Sequence, residues 1–259
     1  MRLPQPTPAA VPQALADILN ATPKAALAFS GGVDSAYLLY ATTACGADVH
    51  AYYVSSCFQP RFELNDARRL AGELNAAMTV LPLDVLADAR VRANPADRCY
   101  HCKRLIMGEI LRAAAADGHA LLLDGTNADD DAGDRPGMRA LSEFGVRSPL
   151  REAGLTKRQV RAYSLEAGLF THDKPAYACL ATRLPQSAEI TTPMLARVEA
   201  AEDALHALGF ADVRARVLGE TVKLQLPAAQ IARAAAMHAE LTAALAPWFA
   251  DVLLDLKPR

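Results

Sequence analysis

Apolar and polar positions alternate along the first half of the chain in blocks that change period. Residues 11–20 carry the spacing of a short amphipathic helix. "AALAF" (25–29) is a short apolar run stopped by Ser30-Gly31-Gly32, the pattern of a buried parallel strand entering a tight turn. "AYLLYATTAC" (36–45) then reads as a helix, "DVHAYYVSS" (48–56) as a second strand, and "PRFELNDARRLAGELNA" (60–76) as an amphipathic helix opened by Pro60. "MTVLPLDV" (78–85) predicts a third strand. "KRLIMGEILRAAAADG" (103–118) predicts a helix with a glycine stop, and "HALLLDGTNADD" (119–130) a fourth strand running into a polar loop. Strand and helix thus alternate from residue 25 to about 128, which implies an α/β domain whose parallel sheet is covered on both faces.

After residue 190 the rhythm changes. "TPMLARVEAAEDALHALGF" (192–210) is a long helix with Thr191 or Thr192 as cap and Gly209 as stop. "DVRARVLGETVKLQLP" (212–227) alternates at period two around Gly219-Glu220, the signature of a β-hairpin. A helix at about 228–243 and a last strand, "WFADVLLDL" (248–256), complete a small α+β domain. The chain therefore divides into an α/β domain (1–175), an aperiodic linker (176–190) carrying Cys179, and the α+β domain (191–259).

Composition narrows the function classes. The 259 residues are 52% hydrophobic and 22% charged, with a formal net charge of −2, so no polybasic surface advertises nucleic acid or anionic membrane as a partner. No run of about 18 apolar residues offers a membrane span, and the start, with Pro4, Pro6 and Pro8, lacks the charged-then-apolar pattern of a secretory signal. The expected compartment is the cytoplasm. Of five cysteines, Cys45 and Cys57 read as small packing residues. Cys99 and Cys102 stand as C-x-x-C, which suits a redox dithiol, half a zinc site completed by His101 or His172, or two ligands of an iron–sulfur cluster.

The turn "SGGVDS" (30–35) is neither a Walker loop, since no Gly-Lys-Ser/Thr follows, nor a G-x-G-x-x-G dinucleotide turn. Gly31 and Gly32 let backbone N–H groups approach an anion, Ser30 and Ser35 add hydroxyls, and the next helix aims its positive end at the same spot. Asp34 inside such a site makes sense if a divalent metal accompanies the phosphates.

"SGGVDS" resembles the PP-loop of the ATP-pyrophosphatase superfamily, whose members cleave ATP between the α- and β-phosphates and adenylate a substrate oxygen. Taken with "NPADRCYHCK" (94–103), "DGTNADDDAGDRPGMRAL" (124–141), "SPLREAGLTKRQVR" (148–161), "KPAYACLATRLP" (174–185) and "EIT" (189–191), the chain is similar to the LarE family. These are sulfur transferases that help build the nickel-pincer cofactor of lactate racemase. Two departures are Thr182, where Ser is more usual, and Gln-Ser after Pro185, where Tyr-Gly is common; the second bears on substrate fit.

The resemblance implies a PP-loop domain binding ATP and Mg2+ through Ser30, Gly31, Gly32, Asp34, Ser35, Gly125, Thr126 and Asn127. It implies a pyridinium-3,5-dicarboxylate mononucleotide as the carboxylate substrate, AMP and pyrophosphate as by-products, and a homo-oligomer. For sulfur it implies either sacrifice of Cys179 or a [4Fe-4S] cluster on Cys99, Cys102 and Cys179 whose open iron carries an extra sulfide. All three cysteines are present, which favours the cluster. Asp34, Cys179 and Arg183 are the expected catalytic residues. Alternatives are a tRNA-thiolating PP-loop enzyme and an ammonia-using synthetase.

Other charges carry less. Seven basic residues between 135 and 161 (Arg135, Arg139, Arg147, Arg151, Lys157, Arg158, Arg161) suit a phosphate handle or a solvated helix face. Lys103 suits phosphate as a point charge. Arg214 and Arg216 share one face of the hairpin, and Glu199 and Glu202, three apart on a helix, read as solvated.

Overall fold

The computed structural model describes residues 11–22, 24–130 and 136–259, with the side chain of Pro136 excluded. Arg135 lies outside these. The chain separates into two compact units. The first comprises residues up to 56, 61–84 and 99–176; the second comprises 57–60, 85–98 and 177–259.

The first unit is built on four short parallel strands, β1 (Ala25–Ala28), β2 (Val49–Ser55), β3 (Met78–Pro82) and β4 (Leu121–Leu123), in the order β3-β2-β1-β4. The helices of this unit are α1 (Gln13–Asn20), α2 (Val33–Ala44), α3 (Arg61–Glu73), α5 (Arg98–Ala116, starting one residue inside the second unit), α6 (Pro136–Glu143), α7 (Pro149–Glu152) and α8 (Lys157–Glu166). They clothe the sheet on both sides, because the strands are apolar at successive residues and have two faces to bury. One core layer gathers Leu27, Tyr37, Leu38, Leu70 and Val160; the other gathers Ala26, Tyr52, Val54, Met107, Ile110 and Leu122. Consecutive residues Ala26 and Leu27 thus serve opposite cores, as the pleat requires. Helix α2 is buried almost all round, and its Tyr37 ring stacks between Tyr40 and Tyr163 at 6.2 and 5.9 Å.

The strand order matters for function. The chain leaves β1 toward β2 on one side, whereas β4 lies on the other. At such a reversal of strand order open α/β sheets bind ligands, in the crevice outside the carboxyl ends of the strands. The expected α/β class with a parallel sheet and a small α+β partner is the fold observed.

The second unit contains α4 (Ala89–Arg92), α9 (Thr192–Ala207), the antiparallel hairpin β5 (Arg214–Leu218) and β6 (Thr221–Gln225), and β7 (Asp251–Leu254) parallel to β6. Thr191 is the helix cap, accepting from Met194 N at 3.4 Å, and Gly209 ends the helix at φ 81°. The helix expected at 228–243 is two, α10 (Ala228–Ala236) and α11 (His238–Leu245), broken at Met237 with ψ at 26°. The break re-aims the chain so that Leu241 and Leu245 are buried alongside Ala234. Residues 57–60 and 85–98 join this unit through backbone bonds: Leu180 N to Phe58 O, Ser187 N to Asn94 O and Ile190 N to Arg92 O, at 2.8–2.9 Å.

Candidate active site

Gly31 takes φ 72°, a conformation that side chains resist, and a Cβ there would lie 3.3 Å from the Cβ of Ala67 in α3. Gly32 is the N-cap of α2, and no side chain caps the helix, so its first-turn N–H groups face the loop without a side-chain acceptor. The hydroxyls of Ser30 and Ser35 lie 3.0 Å apart, and Ser35 donates to Gly32 O at 3.2 Å. An uncapped helix start behind two glycines and two hydroxyls is a fitting cradle for a polyphosphate.

The loop after β4 closes the crevice from the other side. Asp124, buried, accepts from Thr126 Oγ1 at 2.6 Å and Ser148 Oγ at 2.7 Å, which fixes the turn. Gly125 then passes so close to α2 that an added Cβ would sit 2.7 Å from Ser35 N. Asn127, 2% exposed, donates to Asp34 Oδ1 at 3.3 Å. Gly125→Ala is expected to push the two loops apart and lower stability by about 1–3 kcal/mol, with nucleotide affinity falling alongside. Thermal melts with and without ATP check both.

Two lysines complete this region. Lys157 at the start of α8 forms an ion pair with Asp34. Lys174 bonds Asp66 Oδ2 at 2.7 Å and reaches Gly31 O at 3.4 Å. Lys157 belonged to the basic run noted in the sequence; Lys174 went unassigned, its only signal being a place in "KPAYACLATRLP". Three other members of that run have partners of their own. Arg139 pairs with Glu143, Arg147 with Glu152, and Arg161 bonds the carbonyls of His172 and Lys174.

Cys99 and Cys102 stand one turn apart at the start of α5, the first exposed and the second buried. Lys103 follows on the same helix, half-buried. Cys45 lies at the end of α2 against its core, where burial pushes its thiol up. Among the described residues no three His, Cys, Asp or Glu side chains gather into a group able to hold a metal ion.

In the second unit Cys179 precedes a 3-10 turn, Leu180–Arg183. Its carbonyl accepts from Thr182 N at 3.0 Å and Thr182 Oγ1 at 2.8 Å, so Thr182 keeps a hydroxyl bond to the cysteine's backbone. Its sulfur accepts from Arg98 Nη1 at 3.3 Å. Arg98, 6% exposed, was not singled out in the sequence, since an arginine preceding C-x-x-C carries no signal of its partner.

Arg183 is 1% exposed and turned inward: Nε and Nη2 bond Glu202 at 2.8 and 3.0 Å, and Nη1 bonds Ala178 O at 2.6 Å and Thr182 Oγ1 at 2.9 Å. These four bonds tie Arg183 to Glu202 and to the backbone and hydroxyl groups around Cys179. Glu202 is not solvated, as its helix spacing suggested. It is 2% exposed and also accepts from Tyr177 and from Ala215 N. The Tyr177 ring lies between the guanidiniums of Arg183 and Arg214, at 4.5 and 4.7 Å. Burial, then the Glu202 carboxylate, pushes the Tyr177 hydroxyl up, so it stays a donor. Arg214 and Arg216 share a face but not an environment: Arg214 is buried, and Arg216 Nη1 bonds Thr182 O at 2.7 Å.

No family model matches the chain. It is 37% identical over 220 residues, 84% of its own length and 78% of the relative's, to pyridinium-3,5-bisthiocarboxylic acid mononucleotide synthase of Lactiplantibacillus plantarum. It is 38% identical over 210 residues, 80% and 78% of the two chains, to an uncharacterized protein of Synechocystis. A third relative, uncharacterized, from Methanocaldococcus jannaschii, is 28% identical over 182 residues, 70% of this chain and 69% of that one. With the glycine cradle at the sheet's crevice and the motifs that carry both sites, these similarities place the chain in the LarE family of pyridinium-3,5-bisthiocarboxylic acid mononucleotide synthases.

Proposed function

We propose that the protein is an ATP-dependent sulfur transferase that adenylates the carboxylates of pyridinium-3,5-dicarboxylate mononucleotide and replaces oxygen with sulfur. The observation that carries this reading is the uncapped glycine turn at the crevice with Asp34 in its first helical turn and no P-loop lysine. Such a turn suits attack at the α-phosphate better than transfer of the γ-phosphate. A substrate carboxylate oxygen attacks the α-phosphorus and pyrophosphate leaves. Sulfide then attacks the acyl carbon, and AMP departs with the former carboxylate oxygen. Ser30, Gly31, Gly32 and Ser35 hold phosphate oxygens, Asp34 holds Mg2+, and Gly125, Thr126 and Asn127 shape the nucleotide wall.

Cys99, Cys102 and Cys179, none of them in a disulfide, are the residues that would hold a [4Fe-4S] cluster with one iron left open, and the first two stand one helical turn apart. When bound, that cluster supplies the sulfide. We place the enzyme in the cytoplasm as a homo-oligomer.

The test is an anaerobic reaction containing the dicarboxylate mononucleotide, ATP, Mg2+ and sulfide, followed by mass spectrometry of product and protein. Oxygen-to-sulfur exchange with AMP and pyrophosphate is expected, with the protein mass unchanged over repeated turnover. Loss of one sulfur and two hydrogens per chain would replace the cluster by sacrifice of Cys179. Thiolated tRNA, with no product from the mononucleotide, would overturn the substrate.

A further inference from the structure

Two adjacent glycines let the turn approach a phosphate, but they leave the peptide between them with little steric preference of its own. Its orientation is set from outside. The Gly31 carbonyl oxygen lies 3.4 Å from Lys174 Nζ. At the other end of the same peptide, Gly32 N–H donates to Ser30 Oγ at 3.4 Å, and that hydroxyl is 3.0 Å from Ser35 Oγ. A trans peptide points its C=O and its N–H in opposite directions. With the carbonyl drawn to Lys174, the N–H faces the two hydroxyls of the cradle. Lys174 is itself held. Its ammonium donates to Asp66 Oδ2 on α3 at 2.7 Å and lies 5.5 Å from the centre of the Phe62 ring. Arg161 bonds the carbonyls of His172 and Lys174 at 2.7 and 2.8 Å, which fixes the backbone from which the lysine reaches.

We propose that Lys174, oriented by Asp66, is a positioning residue that sets the Gly31–Gly32 peptide with its N–H facing the phosphate cradle. This rests on the reading of the turn as the site that holds the pyrophosphate part of ATP. Donors already aimed at the anion need no rearrangement when it arrives. The Lys174–Asp66 pair carries no net charge, so its contribution is orientation rather than attraction. Gly31 also packs on α3, where an added Cβ would meet Ala67 Cβ at 3.3 Å and Glu63 O at 3.4 Å. The lysine thus fastens the turn to the helix that carries Asp66.

The experiment uses the full-length protein made by cell-free synthesis with glycine isotopically labelled at its carbonyl carbon and its nitrogen. Gly31 and Gly32 are the one adjacent pair among the 14 glycines, so a carbonyl-to-amide correlation spectrum holds a single peak, from this peptide. Lys174→Met is expected to move that peak in the ligand-free protein, and Lys174→Arg to return it toward its wild-type position. In calorimetric titrations with magnesium pyrophosphate, Lys174→Met should bind about tenfold more weakly, as for loss of one hydrogen bond to a charged group. Lys174→Arg should bind nearly as well as wild type. Lys174→Met combined with Asp66→Asn removes both charges, leaves the net charge unchanged, and should stay as weak as Lys174→Met. An unmoved peak in Lys174→Met, or affinity restored in the double variant, overturns the proposal. If Lys174→Met fails to fold, the double variant, which leaves no carboxylate unpaired, is compared with wild type on both readouts. Wild-type protein that binds no pyrophosphate would remove the reading of the turn, and the peak would still decide what orients the peptide.

Discussion

Asp34→Ala is expected to abolish pyrophosphate release from ATP, by about a thousandfold or more, while leaving the fold intact. Asp34 is only partly buried, and its carboxylate is divided between Asn127 at 3.3 Å and the ammonium of Lys157. A carboxylate in an anion cradle opposes phosphate unless a cation stands between them. Lys157 supplies a cation to that carboxylate, and with ATP bound Mg2+ would take the same role. The two cations can be separated experimentally. If Lys157 is a stand-in, Lys157→Met retains turnover and lowers the Mg2+ concentration needed for half-maximal rate. If Lys157 binds phosphate itself, the same variant raises KM for ATP without shifting the Mg2+ requirement. Coupled assays for pyrophosphate and for orthophosphate settle the cleavage point, because ADP and orthophosphate as products would contradict the mechanism.

The parts of this site readable from sequence are those whose chemistry is local. Ser30 to Ser35 announces itself because a glycine turn, its hydroxyls and the following helix are contiguous. The four parallel strands were legible for the same reason: each is a short, mainly apolar run, with only His50 inside β2 and Thr79 inside β3 breaking the pattern. Residues that act through distant partners were not. Lys174 is paired with Asp66, 108 positions away, and Arg98 reaches Cys179 across 81. Residues 85–98 join the second unit through backbone bonds to 185–190, which leave no periodic trace. The 228–243 stretch contains neither Gly nor Pro, so nothing local marked the break at Met237.

Glu202 shows the same limit in energetic terms, and its removal is expected to have the largest effect on stability. An acid on an amphipathic helix is ordinarily solvated, but here four donors converge on one carboxylate: Arg183 Nε and Nη2, the Tyr177 hydroxyl and Ala215 N. Glu202→Ala leaves a guanidinium with no exposed side-chain surface without its counter-charge. Removing one partner of a buried pair costs about 3–5 kcal/mol, more than the pair itself contributes, because the surviving charge stays desolvated. Glu202→Gln keeps the volume and one acceptor oxygen and should cost less, about 1–3 kcal/mol. Pairing Glu202→Leu with Arg183→Met removes both charges and should recover part of the loss, giving a favourable coupling in a double-mutant cycle. Urea titrations followed by a probe in the second unit measure these differences, since the two units need not unfold together. A cost below about 1 kcal/mol for Glu202→Ala, within the range of exposed pairs, would mean that the ion pair is hydrated in solution and does not hold the Cys179 segment.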